Sequence, residues 1–434
     1  MVKIEPFASI HYNTEIIEDI AKVIAPPYDV IDPRAQEDLY QKHPYNIIRM
    51  ILGKDLAGDT PEENKYARAE AYFQEWLRRN ILIQDSEPAI YFYEQDFKVD
   101  SLEKSRLGFI ALLRLQEDAE SRSVHPHEHT HKAPKEDRLK LIKKVEANLS
   151  PIFTIFSDPE SVIKKFFDDN IRSTPVFFEA RDDAGVANRL WRVSDSASID
   201  KVKTFLAQKD IFIADGHHRY EVARMFRDHK KAQAPADFKD SYNYIMTFFT
   251  PLEDEGLCIL PTHRLIKNIF GFSPDKCSPC FSVKECSCKE LLLSELKKKE
   301  DEVGAFGLYH DSKFYLIKSS DKRECNRLIQ DGPKEYKNLD VVILHKVLFD
   351  HILKIALNQI SYEVELDKAI SLVDEKAYDA LFILNPTKVE QIRSIALGGE
   401  VMPQKSTYFY PNCGIELFLI HGLVLYFVFL PGLR

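Results

Sequence analysis

The chain has 434 residues, of which 44% are hydrophobic and 11% aromatic, and its formal net charge is −9 at pH 7. This length exceeds one compact core, so we expect two or three globular domains. The acidic balance argues against a dedicated nucleic-acid binder, which normally carries a basic face, but it leaves room for a local basic pocket.

The N-terminal residues show no apolar signal segment, and seven cysteines, an odd number in a long chain, fit a reducing compartment. We therefore expect a cytoplasmic protein. The longest apolar stretch, Leu417 to Leu430, is interrupted by His421 and Gly422 and is shorter than the ~20 residues of a membrane-spanning helix. We predict no membrane association and interpret the stretch as a terminal strand pair or an aberrant tail.

The first part of the chain, residues 1–125, is predicted to be a mixed α/β segment. Val23 to Ile31 reads as an apolar strand that is interrupted by two prolines, and their fixed φ angles would present Tyr28 and Asp29 rigidly. Further apolar patterns predict one amphipathic helix and two strands joined by a hairpin-like connection. These are a helix over 61–79 and strands over 89–93 and 108–115.

A histidine-rich segment follows, in which every second residue from 125 to 131 is a histidine. Imidazoles on one side of an extended chain could bind a transition metal, although this spacing in a loop defines no ligand geometry and Pro126 bends the run. The alternative is a polar loop over an active site, with Glu128 as a base or a Mg²⁺ ligand. The histidines are His125, His127, His129 and His131.

The charged run Lys135 to Arg138 predicts the first turn of a helix, and Ile152 to Phe156 predicts a buried strand. Between 157 and 200 the pattern is polar and irregular, apart from a helical patch at 162–167 and a strand near 190–193.

The stretch around Gly216 carries the strongest functional signal. Ile211 to Ala214 predict a buried strand, Asp215 and Gly216 permit a tight turn, and a helical pattern begins near His218. A helix that starts after a glycine turn exposes several backbone N–H groups at one point, which suits a phosphate.

Three donor side chains are concentrated at the same helix start, namely His217, His218 and Arg219. A guanidinium can hold phosphate oxygens bidentately. The structural alternative is that Asp215 caps the helix and the other side chains are surface polars. We favour phosphate binding, because so many donors are concentrated there.

Beyond this stretch, Pro261 to Arg264 place a second His-Arg pair, His263 and Arg264, at a predicted strand end, where sites in α/β proteins tend to lie. The run 402–411 contains Lys405, hydroxyls and tyrosines, and two interpretations of it are equally favoured. It either returns to the phosphate site or forms a terminal strand. Further elements are predicted as strands over 244–249, 257–260 and 378–384, a hairpin over 306–309 and 314–317, and helices from 340 and over 389–397.

Four cysteines at 277, 280, 286 and 288 raise a zinc hypothesis, but the loop between the two pairs is short and the second pair is spaced by one residue. We favour incidental cysteines in an insertion. The predicted domain division is 1–125, 126–270, 271–330 and 331–434. The sequence makes no prediction of the oligomeric state.

Several motifs spread over the chain together resemble the bacterial and archaeal family known as domain of unknown function 1015 (DUF1015). They are Ala25–Val30, His127–Thr130, Pro134–Leu139, Ala147–Ile152, Ala214–Tyr220, Pro261–Arg264, Leu384–Thr387 and Met402–Phe409. The sequence departs from this family after Pro411, where a short basic-apolar ending would be expected and a long apolar segment follows.

More distantly, Asp-Gly-His-His-Arg is similar to the nucleotide-phosphate motif of the ParB/sulfiredoxin-like superfamily. The implied fold is α/β (mixed α+β), with a ParB/sulfiredoxin-like core and additional α/β segments. The sequence shows no helix-turn-helix of the partition proteins, and His217 stands where sulfiredoxins carry a catalytic cysteine. Free serine kinases share the motif, so the resemblance favours an enzyme, a kinase that uses ATP or ADP (or CTP) with Mg²⁺ on a small hydroxyl metabolite, above all free L-serine.

Under this resemblance Gly216 would cradle phosphates, and His217, His218 and Arg219 would neutralise their charge. Asp215 would hold Mg²⁺, and Glu128 or Asp29 would accept the hydroxyl proton. The remaining residues expected to bind nucleotide or substrate are Tyr28, His127, Thr130, Lys135, Asp137, Arg138, Tyr220, His263, Arg264 and Lys405.

Two other hypotheses stay open. The first is a non-catalytic nucleotide-binding regulatory protein that uses the same residues. The second is a hydrolase that uses the histidine-rich loop as a metal site.

Overall fold

The structure is a computed structural model that describes residues 1–99, 101–117, 123–128, 130, 132–233, 235, 238–277, 280–300, 302–320, 322–330, 332–412 and 420–421. The chain forms two compact units. Unit 1 comprises Met1–His125, Thr130–Leu257 and Pro411–Arg434, and unit 2 comprises Pro126–His129 and Cys258–Tyr410. The four-part division expected from the sequence stays a prediction, whereas the mixed α/β fold class is confirmed.

Unit 1 combines a large mixed sheet with helices. Its strands are β1 (Ile4–Glu5), β2 (Ile10–Tyr12), β3 (Leu82–Gln84), β4 (Ile90–Val99), β5 (Leu102–Arg114), β6 (Val124–His125), β7 (Ala147–Asn148), β8 (Ile152–Phe156), β9 (Phe178–Arg181), β10 (Ala187–Val193), β11 (Ile211–Asp215), β12 (Tyr244–Pro251) and, near the end of the chain, β21 (Ile420–His421), which pairs with β7. Its helices are α1 (Pro33–Lys42), α2 (Ile48–Ile51), α3 (Lys65–Arg78), α4 (Lys132–Val145), α5 (Val162–Asn170), α6 (Ser196–Leu206) and α7 (His217–Gln233). Short 3-10 turns lie at Ile20–Lys22, Tyr28–Val30 and Asp240–Asn243.

The large sheet has the strand order β6-β11-β8-β12-β5-β4-β10-β9, with β1 added beside β5. β8 runs parallel to β12 and antiparallel to β11. The C-terminal ends of β8 and β11 therefore point in opposite directions along the strands of the sheet. Every residue of β8 is buried, as expected for a strand that is covered on both faces.

Local sequence explains where several unit 1 elements begin. α3 starts at Lys65 rather than at 61 because the Asn64 side chain accepts hydrogen bonds from the N–H groups of Tyr66 (3.0 Å) and Ala67 (3.2 Å). Such a cap contributes about 1 kcal/mol. The hairpin predicted from 89–93 and 108–115 is confirmed as the antiparallel pair β4–β5.

Two predictions for unit 1 are wrong. The stretch Val23 to Ile31 is not a strand: Tyr28–Val30 form a 3-10 turn, and Pro26 and Pro27 have no N–H to donate to a neighbouring strand. The region 157–200 is more regular than predicted, since it contains β9 and the start of α6, for which Asp195 accepts from Ser198 N at 2.8 Å.

Unit 2 is built on an antiparallel sheet with the order β15-β17-β16-β19-β14-β18. The strands are β13 (Cys258–Leu260), β14 (His263–Ile266), β15 (Phe281–Cys286), β16 (Ala305–His310), β17 (Lys313–Ser319), β18 (Ile360–Glu363), β19 (Ala380–Ile383) and β20 (Tyr408–Tyr410). The helices are α8 (Lys289–Lys297), α9 (Lys322–Leu328), α10 (Lys334–Lys337), α11 (Asp340–Val342), α12 (Leu366–Asp374) and α13 (Val389–Leu397), with a π-helix over Ile343–Leu353 and 3-10 turns at Pro274–Cys277 and Leu357–Gln359.

The core of unit 2 lies between this sheet and helices α8 and α12. The apolar side chains that meet there include Leu292, Leu296, Ala369, Val373 and Leu381. The predicted hairpin is confirmed as β16–β17, and its turn residues Asp311 and Ser312 have φ angles of +47° and +58°, as a type I′ turn requires.

Candidate functional site

The predicted strand, turn and helix around Gly216 are confirmed as β11, Gly216 and α7. Gly216 has φ +93°, and a Cβ at this position would lie 2.9 Å from Cγ2 of Ile152. Both facts restrict the position to glycine. α7 therefore begins directly beside β8, and its first-turn N–H groups have no partner further back in the helix.

Arg219 lies in the first turn of α7 and turns back onto the strand end. Its Nη2 donates to the Asp215 carboxylate, and its Nη1 donates to the Pro151 carbonyl oxygen. The side chain is only 12% exposed. The positive charge that the sequence places at this helix start is therefore matched by a carboxylate four residues earlier.

Arg138 of α4 brings a second guanidinium to the same place. It donates to the Ile51 carbonyl oxygen at 2.6 Å and to the carboxylate of Asp137, with an Nε–Oδ2 distance of 2.9 Å. Its Cζ atom lies 4.1 Å from the ring centroid of Tyr28, which is a cation–π contact. Asp137 also accepts from the Tyr66 hydroxyl at 2.7 Å, so the arginine and its carboxylate are both fixed.

Tyr28, Arg138 and Arg219 line one cleft of about 60 Å³, which we term the arginine cleft. The segment between α4 and β8, which contains β7, supplies a further wall that includes Asn148 and Ser150. The rest of the lining is apolar and consists of Ile51, Leu141, Ile142, Ala147, Leu149, Val222 and Ile245.

Asn148 is the most informative residue of this wall. It is only 6% exposed, and its Nδ2 is buried without a hydrogen-bond partner in the part of the chain that the structure describes. A buried amide donor left unpaired costs about 1–3 kcal/mol. A ligand oxygen in the arginine cleft would remove that cost.

The pKa values of Tyr28 in the cleft and of Asp137 beside it are shifted in opposite directions. Burial raises the pKa of Tyr28, and the neighbouring Asp29 raises it further, against the opposing effect of Arg138 and Arg219. The phenol is therefore a neutral donor. Burial alone would raise the pKa of Asp137, but Arg138 and the Tyr66 hydroxyl hold it below the ordinary value.

Other predicted site residues of unit 1 lie near α7 but do not line the arginine cleft. Lys135 and Thr130 both bind the Glu221 carboxylate, at 2.7 Å and 2.8 Å. Tyr220 is buried, and its hydroxyl accepts from Gln116 N at 3.4 Å. His217 is also buried, at 6% exposure, while its neighbour His218 is half-buried.

The histidine-rich segment is divided between the two units. In unit 1, His125 stacks on Phe212 at 5.2 Å and contacts Asp210 at 2.9 Å. In unit 2, His127 is buried and its Nε2 lies 3.3 Å from Thr407 Oγ1. His129 and His131 lie outside the described residues.

Glu128 binds the residues that directly follow Lys405 in unit 2. Oε1 of Glu128 accepts from Ser406 N at 3.1 Å and from Thr407 N at 3.3 Å. The residue before this pair, Lys405, has φ +54°, and its carbonyl oxygen accepts from Arg264 at 3.0 Å. Residues 402–410 of this run thus lie in unit 2 and end in β20, which pairs with β13, whereas Pro411 belongs to unit 1.

His263 and Arg264 lie within unit 2 as the first two residues of β14, rather than at the end of a strand as predicted. Both are buried. Burial and the Arg264 charge lower the pKa of His263 to about 4.

A metal centre is not assembled by the described side chains. Among them, no group of three or more His, Cys, Asp or Glu residues is placed to hold a metal ion. Asp215 holds Arg219 rather than standing among other oxygen ligands. Cys277, Cys280 and Cys286 are buried and Cys288 is exposed.

A second cleft, of about 690 Å³, lies at the C-terminal end of β8, whereas the arginine cleft lies at its N-terminal end. Several of its charged groups are bonded to one another or to the backbone: Glu94 binds Arg172 (2.8 Å) and Arg189 (2.7 Å), and Glu253 accepts from the N–H of Asp158 at 2.7 Å. These groups already have partners, in contrast to the Asn148 amide.

The functional role of the segment Ala147–Ile152 was not predicted from the sequence. The segment contributes to the family resemblance, but the resemblance assigns it no function. In the structure the segment supplies Asn148 and Ser150 to the cleft and the Pro151 carbonyl to Arg219. The available signal was a polar Asn-Leu-Ser motif between a helix and a fully apolar strand.

A family model described as protein of unknown function (DUF1015) matches residues 4–342. The chain belongs to the DUF1015 family. The more distant placement in the ParB/sulfiredoxin-like superfamily stays a prediction. Among curated proteins, none matches this DUF1015 chain.

Solved structures give further similarities. A conserved hypothetical protein from Pyrococcus furiosus is 15% identical, with a TM-score of 0.34, over 69% of this chain and 90% of its own. A free serine kinase in complex with AMP is 12% identical, with a TM-score of 0.34, over 72% and 88%. SbnI with C-terminal truncation from Staphylococcus aureus is 11% identical, with a TM-score of 0.31, over 69% and 82%.

The helices of this DUF1015 chain also bear on membrane insertion. None of those in its described ranges combines the length needed to cross a bilayer with sufficient apolar character.

Proposed function

We propose that this protein is a nucleotide-dependent phosphotransferase that phosphorylates the hydroxyl of a small metabolite, with free L-serine as the preferred acceptor. The nucleotide phosphates would bind in the arginine cleft. The observation that carries the proposal is the buried, unpartnered Nδ2 of Asn148, in the described part of the chain, in a cleft that also contains Arg138 and Arg219.

The size and donors of the cleft suit a phosphate group. About 60 Å³ is too small for a whole nucleotide, since pockets for such ligands measure roughly 300–1,000 Å³. One phosphate would enter the cleft, and the base and sugar would lie outside it. The Asn148 amide, the two guanidiniums and the first-turn N–H groups of α7 would bind the phosphate oxygens.

Both arginines of the cleft already have a carboxylate partner, so a bound phosphate would replace a carboxylate as the partner of an arginine. Arg219 is bonded to Asp215, and Arg138 is bonded to Asp137. A phosphate that replaces Asp215 as the partner of Arg219 would leave the guanidinium charge compensated throughout. Phosphoryl transfer depends mainly on such positioning and charge neutralisation.

Magnesium does not fit as an ion held by the protein alone, because the Asp215 carboxylate already binds Arg219. Mg²⁺ commonly reaches kinase sites through substrate phosphates. We therefore assign no step to a magnesium ion on Asp215.

We assign the proton-accepting role to Asp29 rather than to Glu128. Asp29 is exposed and directly follows Tyr28, which lines the cleft. The Glu128 carboxylate is engaged by the backbone N–H groups of Ser406 and Thr407 in unit 2. The preference for serine as acceptor rests on the Asp-Gly-His-His-Arg motif that this chain shares with free serine kinases.

A second candidate is a nucleotide sensor that binds without transfer. It is favoured by the exchangeable Arg219–Asp215 pair, since a phosphate that releases Asp215 would alter the end of β11 without any chemistry. Both candidates use the same residues, so only a reaction product separates them.

Phosphorus NMR provides that separation. The full chain would be incubated with ATP or ADP, Mg²⁺ and L-serine, and we expect a new phosphoester signal from the wild type. Asp29→Asn should bind nucleotide but form no product, and Arg219→Ala should do neither.

Arg79→Ala is the matched control, because Arg79 also pairs with a carboxylate four residues earlier, Glu75, but is exposed and outside the cleft. It should retain full product formation. Nucleotide binding without any phosphoester would establish the sensor, and the absence of both would overturn the assignment of the cleft.

A further inference from the structure

A pocket in unit 2 contains an arginine whose charge is not matched by a carboxylate among the described residues. The pocket has a volume of about 20 Å³ and is lined by Arg264 of β14 and Thr262 just before it, by Asn385 and Thr387 after β19, and by Ser406. Its size admits about one water-sized group. We term it the Arg264 pocket.

Arg264 is one of the most buried charged residues of the described chain, at 1% exposure. Its guanidinium donates to the Thr262 carbonyl, to the Lys405 carbonyl at 3.0 Å and to His345 Nε2 at 3.3 Å. All three acceptors are neutral, because burial and the Arg264 charge lower the pKa of His345 to about 3.

The charge of Arg264 persists in spite of this environment. Burial lowers its pKa to about 10, which still leaves it protonated at neutral pH. Among the described residues no carboxylate oxygen lies within 4.0 Å of it. A buried charge of this kind is costly unless something compensates it.

The acidic residues nearby do not provide that partner. Glu128 favours the charged form of Arg264 from a distance, but its Oε1 is bonded to the backbone of Ser406 and Thr407. Asp340 lines the pocket and accepts from Gly304 N at 2.7 Å, and Glu300 is exposed.

Hydrogen-bond donors in the pocket remain unused. The Thr262 side chain is buried, and its Oγ1 has no hydrogen-bond partner among the residues described. A guanidinium has five N–H groups, and the three bonds of Arg264 use the Nε N–H and one N–H each of Nη1 and Nη2. Two N–H groups of Arg264 thus remain in addition to the Thr262 hydroxyl, and both residues line the same small pocket.

We propose that the Arg264 pocket binds a single monovalent anion, either a free halide or the carboxylate end of a small acid. The anion would accept from Thr262 Oγ1 and from the two remaining N–H groups of Arg264, and it would supply the missing negative charge. This site is separate in sequence and chemistry from the arginine cleft, and it does not depend on phosphotransferase activity.

The test is hydrogen exchange of the β14 amides in the full chain, at constant ionic strength maintained with sodium HEPES. Sodium chloride or sodium formate is then titrated in. We expect at least a tenfold slowing of exchange with one of the two anions. Slowing by chloride alone identifies a halide site, and slowing by formate identifies a carboxylate site.

Thr262→Val removes the hydroxyl at nearly constant volume and should abolish the slowing, whereas Thr262→Ser should retain it. Thr250→Val is the matched control, since Thr250 Oγ1 is likewise buried and unpartnered in the described chain but lies in unit 1. It should leave the β14 response unchanged.

Two results would overturn the site. One is a wild type in which neither anion changes the exchange rate of the β14 amides. In that case Thr262→Val would only be more stable than the wild type, to the same extent in every buffer. The other is a Thr262→Val variant with the full anion response of the wild type. If Thr262→Val does not fold, the wild-type titrations and Thr262→Ser still decide between binding and no binding.

Discussion

Arg219 of unit 1 and Arg264 of unit 2 each follow a histidine in the sequence, but their charges are compensated in different ways. Arg219 starts a helix and binds the carboxylate of Asp215 four residues earlier. Arg264 lies in a strand, where residues four apart do not meet, and its partners are carbonyl oxygens and an imidazole. The four-residue spacing supplies Arg219 with a carboxylate counter-ion, whereas the partners of the buried Arg264 in its strand are all neutral.

The largest expected difference between the two units is their response to acid. Burial lowers the pKa of His263 to about 4 and of His345 to about 3, so both stay neutral in the folded unit 2. In the unfolded chain they protonate near pH 6.5. As pH falls from 6.5 toward 4, the unfolded state binds more protons, and the free energy of unfolding decreases by roughly 1.4 kcal/mol per pH unit for each histidine.

Urea unfolding at pH 7 and pH 5, followed by hydrogen exchange of unit 2 amides, measures this loss. Both tryptophans, Trp76 and Trp191, lie in unit 1, so fluorescence reports unit 1 separately. His345→Gln keeps an acceptor for Arg264 and should reduce the pH dependence. His351→Gln changes an exposed histidine and should not. Equal stability of unit 2 at both pH values would contradict the buried neutral imidazoles.

The next effect concerns the turn that positions Arg219. Gly216→Ala should destabilise unit 1 by about 2 kcal/mol, because φ is +93° and a Cβ would lie 2.9 Å from Ile152. Gly185→Ala is the control, with φ +80° and no atom within 4 Å of the added Cβ. Fluorescence-detected urea unfolding should show the smaller loss for Gly185→Ala, and equal losses would mean that the close approach to Ile152 has no energetic effect.

The smallest effect tests the unpartnered amide of the arginine cleft. Asn148→Leu should leave unit 1 as stable as the wild type or up to about 1 kcal/mol more stable, because a buried donor without a partner in the described chain is removed. The same variant should lose about tenfold in nucleotide affinity. Thermal unfolding with and without ADP measures both quantities.

Asn188→Leu is its counterpart, since the Asn188 amide is buried but bonded to Tyr93 and to the Val186 carbonyl. This variant should lose stability. A loss of stability in Asn148→Leu comparable to that of Asn188→Leu would show that the Asn148 amide has a structural partner.

The elements with strong local signals can be predicted from the sequence. The predicted positions of β8, β11 and α13 agree with the structure within a residue or two, because apolar runs and one-face periodicity determine them. The prediction for Val23 to Ile31 fails since its apolar composition resembles a strand, whereas the two prolines prevent the hydrogen bonds of one. The π-helix over Ile343–Leu353 has the same one-face apolar pattern as an α-helix, so the sequence predicts only a helix from 340.

The candidate site can be predicted only where its residues are adjacent in sequence. The Asp215–Arg219 turn is local, and its donors can be recognised directly. The approach of Arg138 to Tyr28 joins residues 110 positions apart, and no local pattern contains it. The bonds of Glu128 to the backbone at 406 and 407 likewise join residues that are distant in sequence, so no local pattern predicts them.

Calorimetric titration of ADP and ATP into the wild type, Arg219→Ala and Arg79→Ala tests the arginine cleft most directly. Loss of charge-assisted hydrogen bonds worth about 2 kcal/mol should raise the dissociation constant of Arg219→Ala roughly 30-fold, whereas Arg79→Ala should bind like the wild type. Wild-type affinity in Arg219→Ala, or a wild type that binds neither nucleotide, would contradict phosphate binding at the start of α7.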